Sequence, residues 1–493
     1  MNKPQKRAAA VLDMTTGSVL PLVLLFSIPL LVGNVFQQVY SMVDTMVVGY
    51  GLGDQAIAAI GATTALYSLI VNFAWALNNG YAIVVTQRFG AHNICGMRQA
   101  IAGMIMLNGG MTLLLTVLAL TFLRPLLLFM NTPASIFEDA YRYIAIIYAG
   151  MISTIAYNMF AGILRAMGNS RSPLYFLIMA SVINIGLDLL FVLKMNMGVS
   201  GAALATVIAQ TISAILCGVY TLRSYGDYMP LREHFAVPRD TLLNLLSTGI
   251  AMALMVTVVD AGSLIYQRAN NAFGEIIITA HMAARRIITI CLQPMNSTAA
   301  ALATFVGQNY GAGKTNRIRT AIRKICAFEI AFSIASLVVL FFTGASLVRL
   351  ITGTSDPQVI DNAVMSIRIH ASFFLFVGLI FCLRSSMQSM DMKRPPILSS
   401  CIELVLKFFA SWWFIPAFGF LGTSLTEPLI WVVMSTYLII AYMRRRKHIL
   451  EHYPKKSASP GERERRSFYV RLNAFRLCSL SRCSSPRRPC PDR

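Results

Sequence analysis

Asp188 sits inside the apolar run "INIGLDLLFV" (183–192), one helical turn after Asn184. An ionised carboxylate at bilayer depth costs at least about 2.5–3.5 kcal/mol, so such a group is kept for a pathway, a relay or a bond to a neighbouring helix. Asp44, in "SMVDTMVVG", is a second acid in an apolar setting. If the two face one cavity, they can bind and release a proton there. With the amide of Asn184, which shares the helical face of Asp188 at i, i+4, and the hydroxyl of Thr206, the same carboxylates also make the hard-oxygen set that a sodium ion prefers. Asp44, Asn184, Asp188 and Thr206 are therefore the candidate cation-coupling residues. A helix-end position for Asp44 and a structural hydrogen bond for Asp188 are the plainer readings.

The elements that hold them must be membrane helices. The 493 residues are 56% apolar and 13% charged, with a mean hydropathy of +0.62, outside the range of soluble globular chains. Apolar stretches near the roughly 20 residues needed to cross the hydrocarbon fall at 20–45, 56–80, 99–123, 137–162, 173–194, 200–222, 244–270, 276–300, 322–348, 362–387, 397–417 and 421–443. Runs such as "LYFLIMASVINIGLDLLFVL" are apolar at consecutive positions, unlike the alternation of a membrane barrel. The first stretch is too long for a signal-peptide core and is read as a retained span.

Basic residues set the orientation. Lys3, Lys6, Arg7, Arg88, Arg98, Arg165, Arg223, Lys314, Arg317, Arg384, Lys393 and Arg444 to Lys447 lie on one side; the other holds only Arg124, Arg142, Lys194, Arg268, Arg349 and Arg368. The positive-inside rule then places both termini in the cytoplasm of a multi-pass cell-membrane protein. The net charge of +21 does not indicate nucleic acid, because residues 444–493 alone carry fifteen Lys and Arg against four Asp and Glu. That basic tail is expected to be disordered and to contact anionic lipid. Nine cysteines are scattered without metal-ligand spacing, so they read as packing residues.

The chain repeats itself. "TQRFGAHNICGMRQAI" (86–101) aligns with "GQNYGAGKTNRIRTAI" (307–322) at a shift of 221; Gly53-Asp54 then meets Gly274-Glu275, and Gly198 and Gly201 meet Gly419 and Gly422. "RAMGNSRSP" (165–173) meets "QSMDMKRPP" (388–396) at 223. The expected fold is an all-α membrane protein, twelve transmembrane helices in two parallel six-helix repeats around a central cleft. Its parts are a cytoplasmic N-terminus (1–19), a first lobe (20–222), a cytoplasmic loop (223–243), a second lobe (244–443) and the tail (444–493).

Residues without a repeat counterpart carry the function. Asp44 meets Ile265 and Asp188 meets Phe409; in the second half Asp260 meets Val39, Glu403 meets Val182 and Lys407 meets Gly186. Asp260 and Glu403 are candidate cavity residues, although Glu403 and Lys407 at i, i+4 can simply neutralise each other. Asn158, by its position on the fourth span, is a further cavity candidate. Arg285 and Arg286 with His281 would line a wet cleft. The "GAGKT" of 311–315 lacks P-loop spacing, and no HExxH or GxSxG is present, so an enzyme and an ATP-driven pump are disfavoured. A receptor or scaffold does not explain asymmetric buried acids on a duplicated frame.

"VDTMVVGYGLG" (43–53), "QRFGA" with "QNYGA", "RAMGNSRSP" and "NIGLDLLFVLKMNMGVSGAALAT" (184–206) together resemble the multidrug and toxic compound extrusion (MATE) family over about residues 15–447, nearer its DNA-damage-inducible branch. The resemblance implies a first-lobe cation site at Asp44, Asn184, Asp188 and Thr206, a helix-1 kink at Pro29, and cavity residues at Gln37 and Tyr40. Many relatives have proline after the helix-5 aspartate; here it is Leu189, which leaves the bend of that helix open. The implied function is a monomeric, cation-coupled exporter of small, often cationic and amphipathic compounds. It would work by alternating access in the lipid bilayer, with no cofactor and a proton or sodium gradient as energy source. A flippase of lipid-linked substrates is the alternative, kept open by Arg285, Arg286 and Lys407.

Overall fold

The computed structural model describes residues 12–270, 273–354 and 356–452. The described residues up to Arg444 form one compact unit, and those from Arg445 on fall in a second. The described residues are helical, with no strand among them.

The first half consists of α1 (Val19–Leu52), α2 (Asp54–Gly90), α3 (Ile94–Phe129), α4 (Ala134–Ala149), α5 (Met151–Ala166), α6 (Arg171–Asp188) and α7 (Gly198–Ser224). The second consists of α8 (Arg239–Asn270), α9 (Glu275–Gly311), α10 (Thr315–Thr352), α11 (Pro357–Ser372), α12 (Phe374–Ser389), α13 (Arg394–Phe409) and α14 (Ile415–His452). The pairs α4–α5 and α11–α12 bend by 44° and 50° and each makes one passage. Arg394–Arg445 is 52 residues of nearly continuous helix, about 78 Å at 1.5 Å per residue, more than twice the hydrocarbon depth. Gly419, at φ 58° and ψ −139°, breaks it into two passages. Twelve passages result. The helices outrun the apolar spans at both ends because hydropathy marks only the lipid-facing portion, while the polar ends continue the backbone hydrogen bonding.

The duplication is written in the backbone. Left-handed φ angles recur at Gly53 and Gly274 (81° and 87°), at Gly198 and Gly419 (61° and 58°), and at His92 and Gly313 (52° and 69°). A π-helical turn follows α6 at Leu189–Lys194, and another follows α13 at Ala410–Phe414. Wide turns of this kind re-aim a helix without proline, so the irregularity after Asp188 is present although Leu189 stands at the proline position. α1 runs as one helix through Pro29.

Two corrections follow. Asp44 lies two turns inside α1, which ends only at Leu52, so it is not a helix-end residue; the run 46–52 continues the helix past the span expected at 20–45. The basic segment after Arg444 begins as helix, since α14 continues to His452: Arg and Lys are good helix formers and favour a helix C-terminus. The rest of the expected disordered tail, like Lys3, Lys6 and Arg7, lies outside the described residues.

The halves are joined at one end by backbone contact. A Cβ at Gly90 would lie 2.0 Å from the Gln308 carbonyl oxygen, and one at Gly311 would lie 1.9 Å from that of Gln87. The same two glutamines cross over: Gln87 Nε2 donates to Ser389 O (2.9 Å) and Gln308 Nε2 to Ala166 O (3.0 Å). Met14 N–H donates to Gln308 Oε1 (3.1 Å), and Arg317 and Lys314 donate to the carbonyls of Gly17 (2.7 Å) and Thr15 (2.8 Å). The segment 12–17 thus seals this end, a role the sequence did not announce.

Replacing Gly311 by alanine should destabilise the protein by about 1–3 kcal/mol through overpacking. Gly109→Ala, whose added carbon meets nothing within 4 Å, should be neutral or gain up to about 1 kcal/mol from helix propensity. Heating both variants in detergent and measuring the monodisperse fraction checks this; equal melting would overturn the clasp.

Candidate cation and substrate site

α1, α6 and α7 bring the four expected coupling residues together. Asp188 is fully buried and Asn184 nearly so, and the carboxyl groups of Asp44 and Asp188 are close enough to interact directly. Oriented to satisfy both its ends, the Asn184 amide donates to the Tyr40 hydroxyl (2.9 Å) and to Asp188 Oδ2 (3.0 Å). Its oxygen accepts from the Thr206 backbone N–H (3.0 Å). The Thr206 hydroxyl donates to Ala202 O (3.1 Å). Asp44 Oδ1 and Asp188 Oδ1 are buried and accept no hydrogen bond from the described residues. Tyr67 and Tyr143 stand close enough to feel the charge of Asp44.

Two carboxyl groups in contact need a positive charge between them, a proton or a metal cation, because like charges at that distance repel strongly in a medium of low dielectric. The neighbours are phenols, an amide and a hydroxyl, all able to ligate or to hydrogen-bond. Their chemistry fits either cation.

Other expected residues separate. Gln37, Tyr40 and Asp44, spaced three and four, share one face of α1; Tyr40 joins the acid pair and Gln37 is exposed farther along. Asn158 is half-buried on α5, and no described contact ties it to the pair. Asp260 on α8 accepts from Asn72 Nδ2 (3.2 Å), bridging the two halves. Glu403 pairs with Lys407 (3.0 Å), as their spacing suggests, and has Arg384 at 3.9 Å.

Glu403, Lys407 and Arg384 line a cavity of ≈ 270 Å³ within the second half, together with His281, Arg285, His370 and Glu427 among others. Glu427 is its hub: Arg285 Nη1 at 3.1 Å, Lys407 Nζ at 3.6 Å and His370 Nε2 at 3.8 Å. Arg286 is exposed outside it. The sequence reading missed Glu427, although it stands at the repeat position of Thr206 (shift 221) and so was open to the same comparison. It also missed Glu329 on α10, which is buried, accepts from the Thr298 hydroxyl and leaves Oε2 without a partner among the described residues. Its repeat counterpart is Asn108, whose Nδ2 donates to Asn78 (2.9 Å).

The MatE sequence profile matches residues 29–190 and again 250–413. The chain belongs to the MatE family. The two matched stretches start 221 residues apart, the shift of the internal repeat. MatE proteins are transporters, and this chain is a multi-pass membrane transporter rather than an enzyme. It is similar to the probable multidrug resistance protein YpnP of Bacillus subtilis, 28% identical over 81% of this chain and 90% of that one. DNA damage-inducible protein F of Escherichia coli is 23% identical over 67% and 72%. A solved structure described as the outward-facing conformation of a multidrug resistance MATE family transporter of the MOP superfamily aligns with a TM-score of 0.82. It does so at 20% identity over 91% of this chain and all of the other, which establishes the shared fold of this MatE transporter.

If the acid pair acts as one unit, Asp44→Asn, Asp188→Asn and the double variant should each remove most of the pH dependence of substrate affinity, the double being little worse than either single. Affinity measured from pH 5.5 to 8.5 tests this. Strictly additive effects would mean two independent sites.

Proposed function

We propose that this protein is a multidrug exporter that antiports small, often cationic amphipathic compounds against a proton or sodium ion. The observation that carries the reading is the contact between Asp44 and Asp188 inside a buried ring of Tyr40, Asn184 and Thr206. A cation bridging the pair removes its repulsion; when the cation leaves, the repulsion returns and α1 and α6 are pushed apart. Substrate and cation therefore compete for the same two charges in the first half. Pro29 removes one backbone hydrogen bond from α1 and gives the helix a place to yield. The names of the relatives, among them probable multidrug resistance proteins and a DNA damage-inducible protein, support export of foreign compounds.

In this reading the clasp around Gln87 and Gln308 is cytoplasmic, both termini are cytoplasmic, and the acid pair and the second-half cavity lie toward the outer face. The protein works as a monomer in the lipid bilayer, needs no cofactor and takes its energy from the cation gradient. A lipid-linked substrate flippase is the second reading, favoured by the arginines and lysine of the second-half cavity.

The test is uptake of a fluorescent monovalent organic cation into proteoliposomes, driven by a proton gradient alone and then by a sodium gradient alone. One gradient should drive transport without ATP, and Asp188→Asn should lower the driven rate at least about tenfold while leaving a folded, monodisperse protein. Wild-type rates in that variant would sink the assignment.

A further inference from the structure

The second half holds a cavity that overlaps in repeat position with the surroundings of the acid pair, although Ile265 and Phe409, the counterparts of Asp44 and Asp188, do not line it. Ile288 and Glu427 line it at the repeat positions of Tyr67 and Thr206, both at a shift of 221. In the first half the fixed charges are two acids. In the second, three fixed cations, Arg285, Arg384 and Lys407, face two carboxylates, Glu403 and Glu427. The next acid, Asp260, does not line this cavity and accepts from Asn72 Nδ2 across the interface.

The three cations are not equally engaged. Lys407 is held by Glu403 and by the Ser263 hydroxyl (3.2 Å), and its side chain is 4% exposed. Arg384 rests on the Ser399 hydroxyl (2.9 Å). Arg285 has one described partner, Glu427, through Nη1 alone, and 39% of its side chain is exposed. Its planar fork can take a bidentate oxyanion. Glu427, meanwhile, faces two cations, Arg285 and Lys407, and the buried His370 with one carboxylate, so it occupies the place that an incoming anion would share.

We propose that this second-half cavity binds a monoanionic organic ligand, a carboxylate on an apolar body, with Arg285 as the principal contact. One excess positive charge among the lining residues matches one negative charge; a dianion would leave the site overcharged in the other sense. Trp431, Phe381, Ile288 and Leu292 supply the apolar wall, and ≈ 270 Å³ suits a bicyclic aromatic. The inference concerns binding without any gradient and in the other half, so its failure leaves the coupling reading standing.

Equilibrium dialysis of radiolabelled 1-naphthoate and its neutral isostere 1-naphthamide, with the full-length protein in nanodiscs of zwitterionic lipid at pH 7.5, tests it. Naphthoate should bind at least about tenfold more tightly than naphthamide, and Arg285→Gln should erase that preference. Arg285→Lys, the second variant should the glutamine protein not fold, keeps the charge but not the fork and should lose part of the preference. Glu427→Gln should strengthen naphthoate binding several-fold, because the internal competitor is neutralised; a merely structural ion pair would not give that sign. Equal binding of the two probes to the wild type, or weaker naphthoate binding to a stably folded Glu427→Gln protein, would overturn the site.

Discussion

The architecture depends on a backbone contact that no side chain can enter. At one end of the bundle Gly90 and Gly311 each lie against the carbonyl of the other half's glutamine, and Gln87 and Gln308 each reach a carbonyl, Ser389 or Ala166, of the opposite repeat. In lipid there is no hydrophobic gain from bringing helices together, so close backbone approach and satisfied polar groups must do it. A similar approach at Gly80 and Gly249, where an added Cβ would lie 2.6 Å from the Gly249 Cα, extends the seam between α2 and α8. With the halves fixed at that end, the polar residues toward the other end can stand around cavities instead of packing against one another.

What fills those cavities follows from the cost of burying charge. In the first half nothing cationic in the described contacts answers the two acids, so they meet each other and a small cation is the simplest partner. In the second half both acids that line the cavity have a base: Glu403 has Lys407, Glu427 has Arg285. Duplication supplied the same frame twice and divergence filled the halves with different charge chemistry, two acids in one and paired acids and bases in the other, while the clasp remains common to both.

Glu329 shows how the same frame tolerates exchange. Its counterpart Asn108 forms an amide pair with Asn78, whereas Glu329 turns to the Thr298 hydroxyl beside Pro294 in α9. Both solutions keep a polar bond between the second and third helices of a repeat. The partner changed with the residue, and the position did not.

The sequence by itself determined that the chain crosses a membrane as helices, that it is duplicated, and that Asp44, Asn184, Asp188 and Thr206 are the polar residues to watch. These are legible because lipid forces apolar runs of fixed length and because duplicated positions expose the residues that differ. Only the tertiary structure decided that Asp44 and Asp188, 144 positions apart, touch, that Tyr40 and Asn184 close the ring, that Arg285 turns into a cavity while Arg286 faces out, and that Glu427 is the hub there. The physical reason is that helix ends, π turns and rotations about a helix axis set which face a residue presents, and hydropathy records depth but not direction. The clasp lay equally beyond the sequence: a conserved spacing of glutamine and glycine was visible in the repeat, but the partner of each lies in the other half of the chain.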